Sequence, residues 1–465
     1  MLKNLADAVA ILVKRLRYKI STADEVTISR GYVALSNYTS GVINNLIGAN
    51  FLTGFLLLLN ADDSFMGFVT MAGYIGNLLQ ILSPLLLERF QSRKKLLIYS
   101  RAVIYFLNIA VIGMVPLIPF TNPVKLMLII VIILGVNLIN AITAPGFSVW
   151  HIKSIPDYVR AKYFSTFNMI NGIIIYTVVL GASWVVDNFK ASGNELQGLL
   201  VLRVLALILC TLDIHFLFKI KEYPNQQTEA GINLKDILIN PFREKKYLVT
   251  VMIACLWSYS ANIPGPYYSM YMLKDMGVSY SFLNIINMFN IPALIFLAPL
   301  WRKRVNSTSW FKVLCLSMGL YLLHYAGLSF VTGETLFLYP VSVIYAFMIT
   351  PGINLVFSNI PYINIPEKDQ TVYIGFYSSM NNLAALLGVT TGKEFIRMTE
   401  GKTISLLGIS MQNKQYMMLL TAAVMMVSAI LIYFLQKKSE CGSMDKHKDS
   451  TNDELAVESQ QRRAE

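Results

Sequence analysis

Charged residues are scarce in this chain, and hydrophobic residues are abundant. Asp, Glu, Lys and Arg make up 14% of the 465 residues, against 55% for the hydrophobic types, whereas about 25% of the residues of an ordinary soluble domain are charged. The mean hydropathy is +0.53. This balance excludes a soluble globular domain and predicts a protein embedded in a membrane.

Cysteine and histidine are also rare, with four residues of each type. Cys210, Cys255 and Cys315 fall in apolar stretches and Cys441 in a polar tail, so their spacing predicts neither a disulfide framework nor a metal site. The histidines are scattered, and His151 is expected at the membrane interface. Because an enzyme site needs a convergent set of acid, base or metal ligands, we predict no enzyme, no catalytic residue, no metal and no cofactor.

Long apolar stretches fill most of the chain. A transmembrane helix needs about 20 predominantly apolar residues, and this criterion predicts twelve spans, near 31–59, 65–87, 96–119, 124–150, 163–188, 197–218, 247–271, 280–300, 310–331, 336–359, 371–392 and 415–435. The polar interval 221–246 predicts a cytoplasmic linker between two helical bundles, 31–220 and 247–435. Residues 1–30 are expected to form a cytoplasmic N-terminal segment and 436–465 a disordered cytoplasmic tail.

Two segments of the first bundle recur in the second. The segment 83–95 resembles 298–306, with Pro84, Leu85 and Arg89 matched by Pro299, Leu300 and Arg304 at an offset of 215. The segment 155–171 resembles 365–381 at an offset of 210. Two repeats in the same order at nearly the same offset predict two homologous halves.

Basic residues indicate the orientation in the membrane, because Lys and Arg collect on the cytoplasmic side. If both termini are cytoplasmic, 31 of the 39 Lys and Arg lie on that side. We therefore predict a multi-pass protein of the cell membrane with cytoplasmic N and C termini and basic loops beside anionic lipid. The net charge of +12 then needs no nucleic-acid partner. Four of the eight remaining basic residues lie between the last two spans, and the sequence does not explain that excess.

With twelve predicted spans, two repeated halves and a charged loop repeated after spans two and eight, the chain resembles the major facilitator superfamily of transporters over residues 25–435. The family carries a G-x-x-x-D-R-x-G-R-[RK] motif in this loop; here Pro84 replaces the first Gly and Glu88 the Asp. The resemblance implies an all-α membrane protein with twelve transmembrane helices in two pseudo-symmetric six-helix bundles. It also implies a gating role on the inner side for a set of charged residues, namely Glu88, Arg89, Arg93, Lys94, Asp157, Arg160, Arg302 and Arg304.

The same resemblance places spans one, four, seven and ten around a central cavity. Asparagines support this placement, since all but one of the asparagines within the predicted spans lie in the cavity and interface spans, and an amide facing lipid would lack partners. We expect the substrate-binding residues near mid-depth to be Asn44, Asn137, Asn140, Trp257, Asn262, Asn287, Tyr377 and Asn381. Amides beside flat aromatic faces suit a neutral, polar, ring-containing solute such as a sugar or nucleoside. The alternative for each Asn is a hydrogen bond between helices, and for each aromatic residue plain packing.

These observations predict a secondary transporter that moves a small solute by alternating access. Two alternatives stay open: efflux of lipophilic compounds through a Met-rich cavity, and a membrane sensor that does not transport. The family's drug-proton antiporters commonly carry an Arg-x-x-Gln-Gly pattern and a Gly-Pro pair in spans four and five, and neither occurs here. Asp213 is the clearest carboxylate within a span, and we expect a helix-end or snorkelling role for it rather than a proton relay, so facilitated diffusion is the hypothesis that follows. The sequence gives no basis for an oligomer, and we expect a monomer.

Overall fold

In the computed structural model, the structure describes residues 25–87, 90, 92–153, 155, 157–222, 241–357, 359–360, 364, 370–406 and 409–440. Helices dominate this part of the chain. In the first 222 residues they are α1 (Glu25–Ile47), α2 (Ala49–Leu57), α3 (Asp63–Leu78), α4 (Ser83–Leu87), α5 (Lys94–Tyr105), α6 (Ile112–Met114), α7 (Asn122–Lys153), α8 (Asp157–Ala191) and α9 (Glu195–Lys219). From residue 241 onward they are α10 (Lys245–Asn262), α11 (Tyr267–Met270), α12 (Tyr280–Met288), α13 (Asn290–Ser307), α14 (Trp310–Ser329), α15 (Leu338–Phe357), α16 (Gln370–Met398) and α17 (Asn413–Glu440).

Shorter segments connect or extend several of these helices. Two 3₁₀ turns cover Leu79–Leu82 and Val115–Leu117, and two π-helical segments cover Phe106–Val111 and Tyr271–Asp275. An antiparallel hairpin of β1 (Ile404–Leu406) and β2 (Ile409–Met411) lies between α16 and α17.

Local sequence explains several helix boundaries. The Asp62 side chain caps the start of α3 by accepting a hydrogen bond of 2.7 Å from the backbone N–H of Phe65. Helix α10 ends before Pro264 and Pro266, which lack the N–H that a continuing helix would use. Gly265, between them, has a φ of +45° that a residue with a Cβ rarely adopts.

Ten helical segments in the described part of the chain are long and apolar enough to cross a membrane. They correspond to the predicted spans except the second and the eleventh. Helix α3, in the second, has only 16 residues, and α16, in the eleventh, has 29 residues but carries Ser, Asn and Thr along much of its length. These two helices pack against each other, and polar or small residues are typical of helix contacts within membranes. The count of twelve stays a prediction.

The chain divides into two compact units. Unit 1 consists of the described residues within Met1–Asn60, Leu82–Glu229 and Ser279–Asn284. Unit 2 consists of those within Ala61–Ile81, Ala230–Val278 and Ile285–Glu465. Most of the predicted linker lies outside the described residues, as do residues 1–24 and the tail from 441. The predicted domain boundaries therefore stay predictions.

Unit 1 has an apolar core where α1, α5, α7 and α9 meet. Its buried members are Val33, Leu87, Leu97, Ile98, Phe147, Trp150, Leu217 and Ile220. The Trp150 indole N–H donates a 2.9 Å hydrogen bond to the carbonyl of Lys221, just beyond the end of α9. This bond gives the buried indole N–H a partner.

The first turn of α12 belongs to unit 1 because an acidic residue of α8 binds its backbone. The two Asp187 carboxylate oxygens accept hydrogen bonds of 2.8 Å from the N–H groups of Tyr280 and Ser281. A carboxylate at a helix N-terminus satisfies free N–H groups and complements the helix dipole. Further along the same turn, Asn284 donates to Ser183 over 2.8 Å and accepts from Asn50 over 3.3 Å.

Candidate functional site

The predicted substrate-binding residues fall into two groups, one in each unit. Unit 1 holds Asn44, Asn137 and Asn140, and unit 2 holds Trp257, Asn262, Asn287, Tyr377 and Asn381. The members of each group pack within their own unit.

The three asparagines of unit 1 differ in exposure. Asn44 and Asn140 are exposed, and Asn137 is half-buried. Asn137 donates a 2.9 Å hydrogen bond to the Ile133 carbonyl of its own helix. Among the described residues, the side chains of Asn44 and Asn140 form no hydrogen bond to protein groups, so both amides are free to bind a solute.

Sequence reasoning missed an aromatic stack in unit 1. The Tyr38 ring on α1 stacks on Phe167 of α8 with centroids 5.0 Å apart, and Phe167 stacks on Tyr163 at 5.9 Å. The interplanar angles are 10° and 11°, so the three rings are nearly parallel. Helical spacing of aromatic residues in spans one and five was the only sequence signal for this stack, and it does not reveal which helix the rings face.

His151 lies inside unit 1 and binds α1. Its Nδ1 is 3.3 Å from the Nδ2 of Asn37, which also donates to the Val33 carbonyl over 2.8 Å. Since an amide nitrogen only donates, Nδ1 accepts and the ring proton lies on Nε2. That Nε2 is buried and has no hydrogen-bond partner among the described residues. Unit 1 thus presents an unused donor beside the rings of Phe147 and Trp150, whose centroids lie 5.8 and 5.7 Å from that of His151.

Asp213 is fully buried, so its carboxylate does not snorkel towards the membrane surface as expected, and it bonds other helices of unit 1. One carboxylate oxygen accepts a 2.5 Å hydrogen bond from the Ser36 hydroxyl on α1, and the other accepts one of 2.5 Å from the Tyr105 hydroxyl on α5. The Arg101 guanidinium lies nearby, 5.8 Å from the Tyr105 ring centroid. Asp213 therefore joins three helices within unit 1.

In unit 2, a chain of hydrogen bonds connects α3, α10 and α16. The Tyr74 hydroxyl donates to the Oδ1 of Asn262, and the Asn262 Nδ2 donates to the Ser258 carbonyl over 2.7 Å. The Ser258 hydroxyl donates to the Oδ1 of Asn381 over 2.5 Å. Two predicted solute ligands are thus joined through one serine. The Asn381 amide nitrogen has no partner within the described residues.

Aromatic residues surround this chain. Tyr377 lies one helical turn before Asn381 on α16, and its buried hydroxyl has no hydrogen-bond partner in the described part of the chain. The half-buried Trp257 packs edge-on against Tyr321, with ring centroids 5.6 Å apart, and lies 5.9 Å from Phe357. These contacts provide flat apolar faces near polar amides.

Asn287 stands apart from the hydrogen-bonded residues of unit 2. It is half-buried near the end of α12. Its side chain forms no hydrogen bond within the described residues. It therefore stays a candidate, and no contact joins it to the Tyr74–Asn262–Ser258–Asn381 chain.

A family model described as "Major Facilitator Superfamily" matches residues 33–389 of the chain. The match covers well over half of the sequence. The chain belongs to the Major Facilitator Superfamily. No curated protein matches it in sequence.

Solved structures share the fold of this superfamily member. A crystal structure of nucleoside transporter NupG has a TM-score of 0.62 at 15% identity, covering 89% of this chain and 100% of that one. The inward open xylose transporter XylE from E. coli scores 0.63 at 13% identity, covering 88% and 96%. A bacterial metal transporter scores 0.60 at 12% identity, covering 88% and 98%. The predicted fold class, an all-α transporter of this superfamily, is confirmed.

The predicted gating residues of this superfamily member have different surroundings. Lys94 binds the end of α9, since its Nζ donates to the carbonyls of Phe218 and Ile220 over 2.9 and 2.7 Å. Arg93 donates to the Phe90 carbonyl over 3.3 Å. Arg302 and Arg304 are exposed, and neither forms an ion pair with a described residue. Glu88 and Arg89 lie outside the described residues, as do the side chains of Asp157 and Arg160.

Proposed function

We propose that this superfamily member carries a neutral, polar, ring-containing solute, such as a sugar or a nucleoside, by alternating access. The observation that supports the proposal best is the group in unit 2, where the free amide nitrogen of Asn381 lies on α16 with the unpaired hydroxyl of Tyr377. Every hydrogen-bond partner of this group is neutral. A neutral set of donors and acceptors beside aromatic faces matches the hydroxyls and ring faces of such solutes.

The structural likeness to a nucleoside transporter and a xylose transporter favours the same solute classes. The likeness to a metal transporter is not accompanied by a suitable site, since the described residues hold no cluster of three His, Cys, Asp or Glu that could bind a metal ion. We propose no metal ion as the solute.

The proposal also covers location and partners. We infer a cell-membrane protein with both termini cytoplasmic, since 31 of the 39 Lys and Arg fall on that side in this orientation. The inferred partners are the solute and membrane lipid, without nucleic acid and without a second subunit. No enzymatic activity is proposed.

The solute class can be tested by thermal stability, because a ligand that binds the folded state raises the melting midpoint. The purified protein would be heated with a panel of neutral sugars, nucleosides and lipophilic cations. We expect a shift with at least one neutral ring compound, lost in Asn381→Ala. Asn188→Ala is the matched control, since the exposed Asn188 donates only to the Trp184 carbonyl of its own helix.

Two results would contradict the proposal. A shift with lipophilic cations alone would favour efflux of lipophilic compounds. Binding of a neutral compound without uptake into proteoliposomes would favour a sensor that does not transport. Uptake of the compound that shifts the midpoint, reduced in Asn381→Ala and unchanged in Asn188→Ala, would support the proposed transport.

A further inference from the structure

Helix α3 contacts the rest of unit 2 along one face. The contacts are an ion pair of 3.3 Å from Asp63 to Lys414, a cation–π contact of 3.9 Å from Phe68 to Lys393, a 4.0 Å contact of Met71 with Thr390, the Tyr74–Asn262 hydrogen bond, and one of 3.2 Å from Asn77 to Asn382. The positions 68, 71, 74 and 77 recur every three residues and Asp63 lies at the start of the helix, so the five contacts fall within about half of the helix circumference. Tyr74 lies between the charged contacts and the Asn77 bond.

The Tyr74 bond differs from the other contacts in its partner. Asn262 is one of the amides predicted to bind the solute, and within the described residues Tyr74 is the only side chain that bonds it, since its Nδ2 donates to the backbone of α10. Tyr74 and Asn262 are both half-buried, so dissolved molecules can reach them. The phenol donates an O–H to the amide oxygen, as a hydroxyl of a sugar or a ribose would.

We propose that Tyr74 is a positioning residue that occupies the place of a solute hydroxyl on Asn262, so that the solute and α3 compete for one amide oxygen. The inference rests on the proposed function, since it takes Asn262 as part of the solute site. A solute hydroxyl that replaces the phenol removes the middle contact of α3. Because the phenol and the solute exclude each other, binding of the solute favours the arrangement in which α3 is detached from α10.

If the phenol and the solute compete, Tyr74→Phe should raise the affinity for the solute, whereas losing a residue that binds the solute would lower it. Phenylalanine keeps the ring and its packing but frees the Asn262 oxygen. We expect the variant to bind the solute roughly two- to tenfold more tightly, the range that one hydrogen bond supplies. If Tyr74 were only structural, its removal would lower stability and leave the affinity unchanged or weaker.

Tyr259→Phe is the matched control. The Tyr259 hydroxyl also bridges helices of unit 2, with its oxygen 3.1 Å from the Thr391 hydroxyl on α16, but it does not contact a predicted solute ligand. We expect this variant to lose a similar amount of solute-free stability and to keep the wild-type affinity. Melting midpoints without solute verify that both variants fold.

The experiment combines binding with thiol labelling. The affinity of each protein is measured by titrating the melting midpoint with the neutral compound that the panel identifies. Separately, Met71→Cys is introduced on the contact face of α3, in a background without native cysteines, and its labelling rate is compared with and without Tyr74→Phe. We expect tighter binding and faster labelling in Tyr74→Phe, and neither change in Tyr259→Phe.

Several outcomes would overturn the inference. Equal labelling with and without Tyr74→Phe would show that the phenol does not hold α3, whichever solute binds. Unchanged or weaker affinity in Tyr74→Phe would show that phenol and solute do not compete. If no neutral compound binds the wild type, the proposed function itself fails, and the inference fails with it; binding by the wild type without tightening in Tyr74→Phe overturns the inference alone.

Discussion

At the scale of single residues, Asp213 shows how hydroxyls of neighbouring helices can satisfy a carboxylate inside a membrane helix. Each of its oxygens accepts one hydroxyl, from Ser36 or from Tyr105. A buried carboxylate is costly unless such donors satisfy it. Sequence reasoning could identify Asp213 as unusual, but its partners are 177 and 108 positions away, and helical periodicity carries no information about such distant neighbours.

Removing the Asp213 carboxylate should destabilise unit 1. Asp213→Ala leaves the Ser36 and Tyr105 hydroxyls buried without an acceptor, so we expect the free energy of unfolding to fall by about 2 to 5 kcal/mol. Asp213→Asn keeps one acceptor oxygen and should lose less. Melting midpoints in detergent measure both effects, and Glu334→Ala, at an exposed position, is the control. A midpoint of Asp213→Ala equal to that of the wild type would contradict this account.

For the asparagines, the sequence predicts which helices have polar faces but not which groups the side chains bond. Their concentration in certain spans predicts polar interior faces, and Asn262 and Asn381 do bond other groups of unit 2. What the sequence could not predict is that one serine, Ser258, bonds both residues, or that Tyr74 on α3 approaches Asn262. Those contacts depend on the register between helices, which the packing of whole helices determines.

At the scale of secondary-structure elements, α16 approaches α10 through two glycines. Gly388 and Gly392 are four residues apart and lie on one face. A Cβ on Gly388 would overlap the backbone carbonyl of Tyr259 on α10, and one on Gly392 that of Ile263, directly after α10. The Gly-x-x-x-Gly spacing is typical of close helix contacts in membranes and can be read from the sequence, although the helix that it faces cannot.

A methyl group at this contact should force the two helices apart. For Gly388→Ala or Gly392→Ala we expect a loss of about 1 to 3 kcal/mol in the free energy of unfolding, because backbone atoms cannot yield as a side chain can. Gly375, on the same helix, has no atom within 4 Å of an added Cβ. Gly375→Ala should therefore leave the melting midpoint unchanged or raise it, since Ala is favoured over Gly in helices by about 1 kcal/mol. Equal midpoints for the three variants would contradict the close contact.

At the scale of the whole molecule, ion pairs explain three of the four basic residues that the sequence left unexplained between the last two spans. Lys414 is 5% exposed and binds two carboxylates, Asp275 at 2.8 Å and Asp63 at 3.3 Å. Glu394 is 3.4 Å from Lys393 and 2.5 Å from Arg397. These basic residues therefore have structural partners, and the proposed orientation rests on the 31 of 39 Lys and Arg that fall on the cytoplasmic side.

The proposed orientation makes a prediction about two exposed loops. Ser192 lies in the turn between α8 and α9, and Ser307 ends α13. Both residues are exposed. With cytoplasmic termini, the turn after the fifth predicted span faces outward and the loop after the eighth faces inward. In a background without native cysteines, a membrane-impermeant thiol reagent should label Ser192→Cys on intact cells and Ser307→Cys only after the cells are permeabilised.

Labelling separates orientation from the number of spans. The reverse pattern, with Ser307→Cys labelled on intact cells and Ser192→Cys protected, would place both termini outside and contradict the charge argument. Labelling of both positions on intact cells would mean that an even number of crossings separates them. The helices between the two positions, α9 to α13, are predicted to form the sixth, seventh and eighth spans. Labelling of both positions on intact cells would therefore contradict the predicted number of three crossings. Opposite sides are expected because three predicted spans separate them, and an odd number of crossings reverses the side of the membrane.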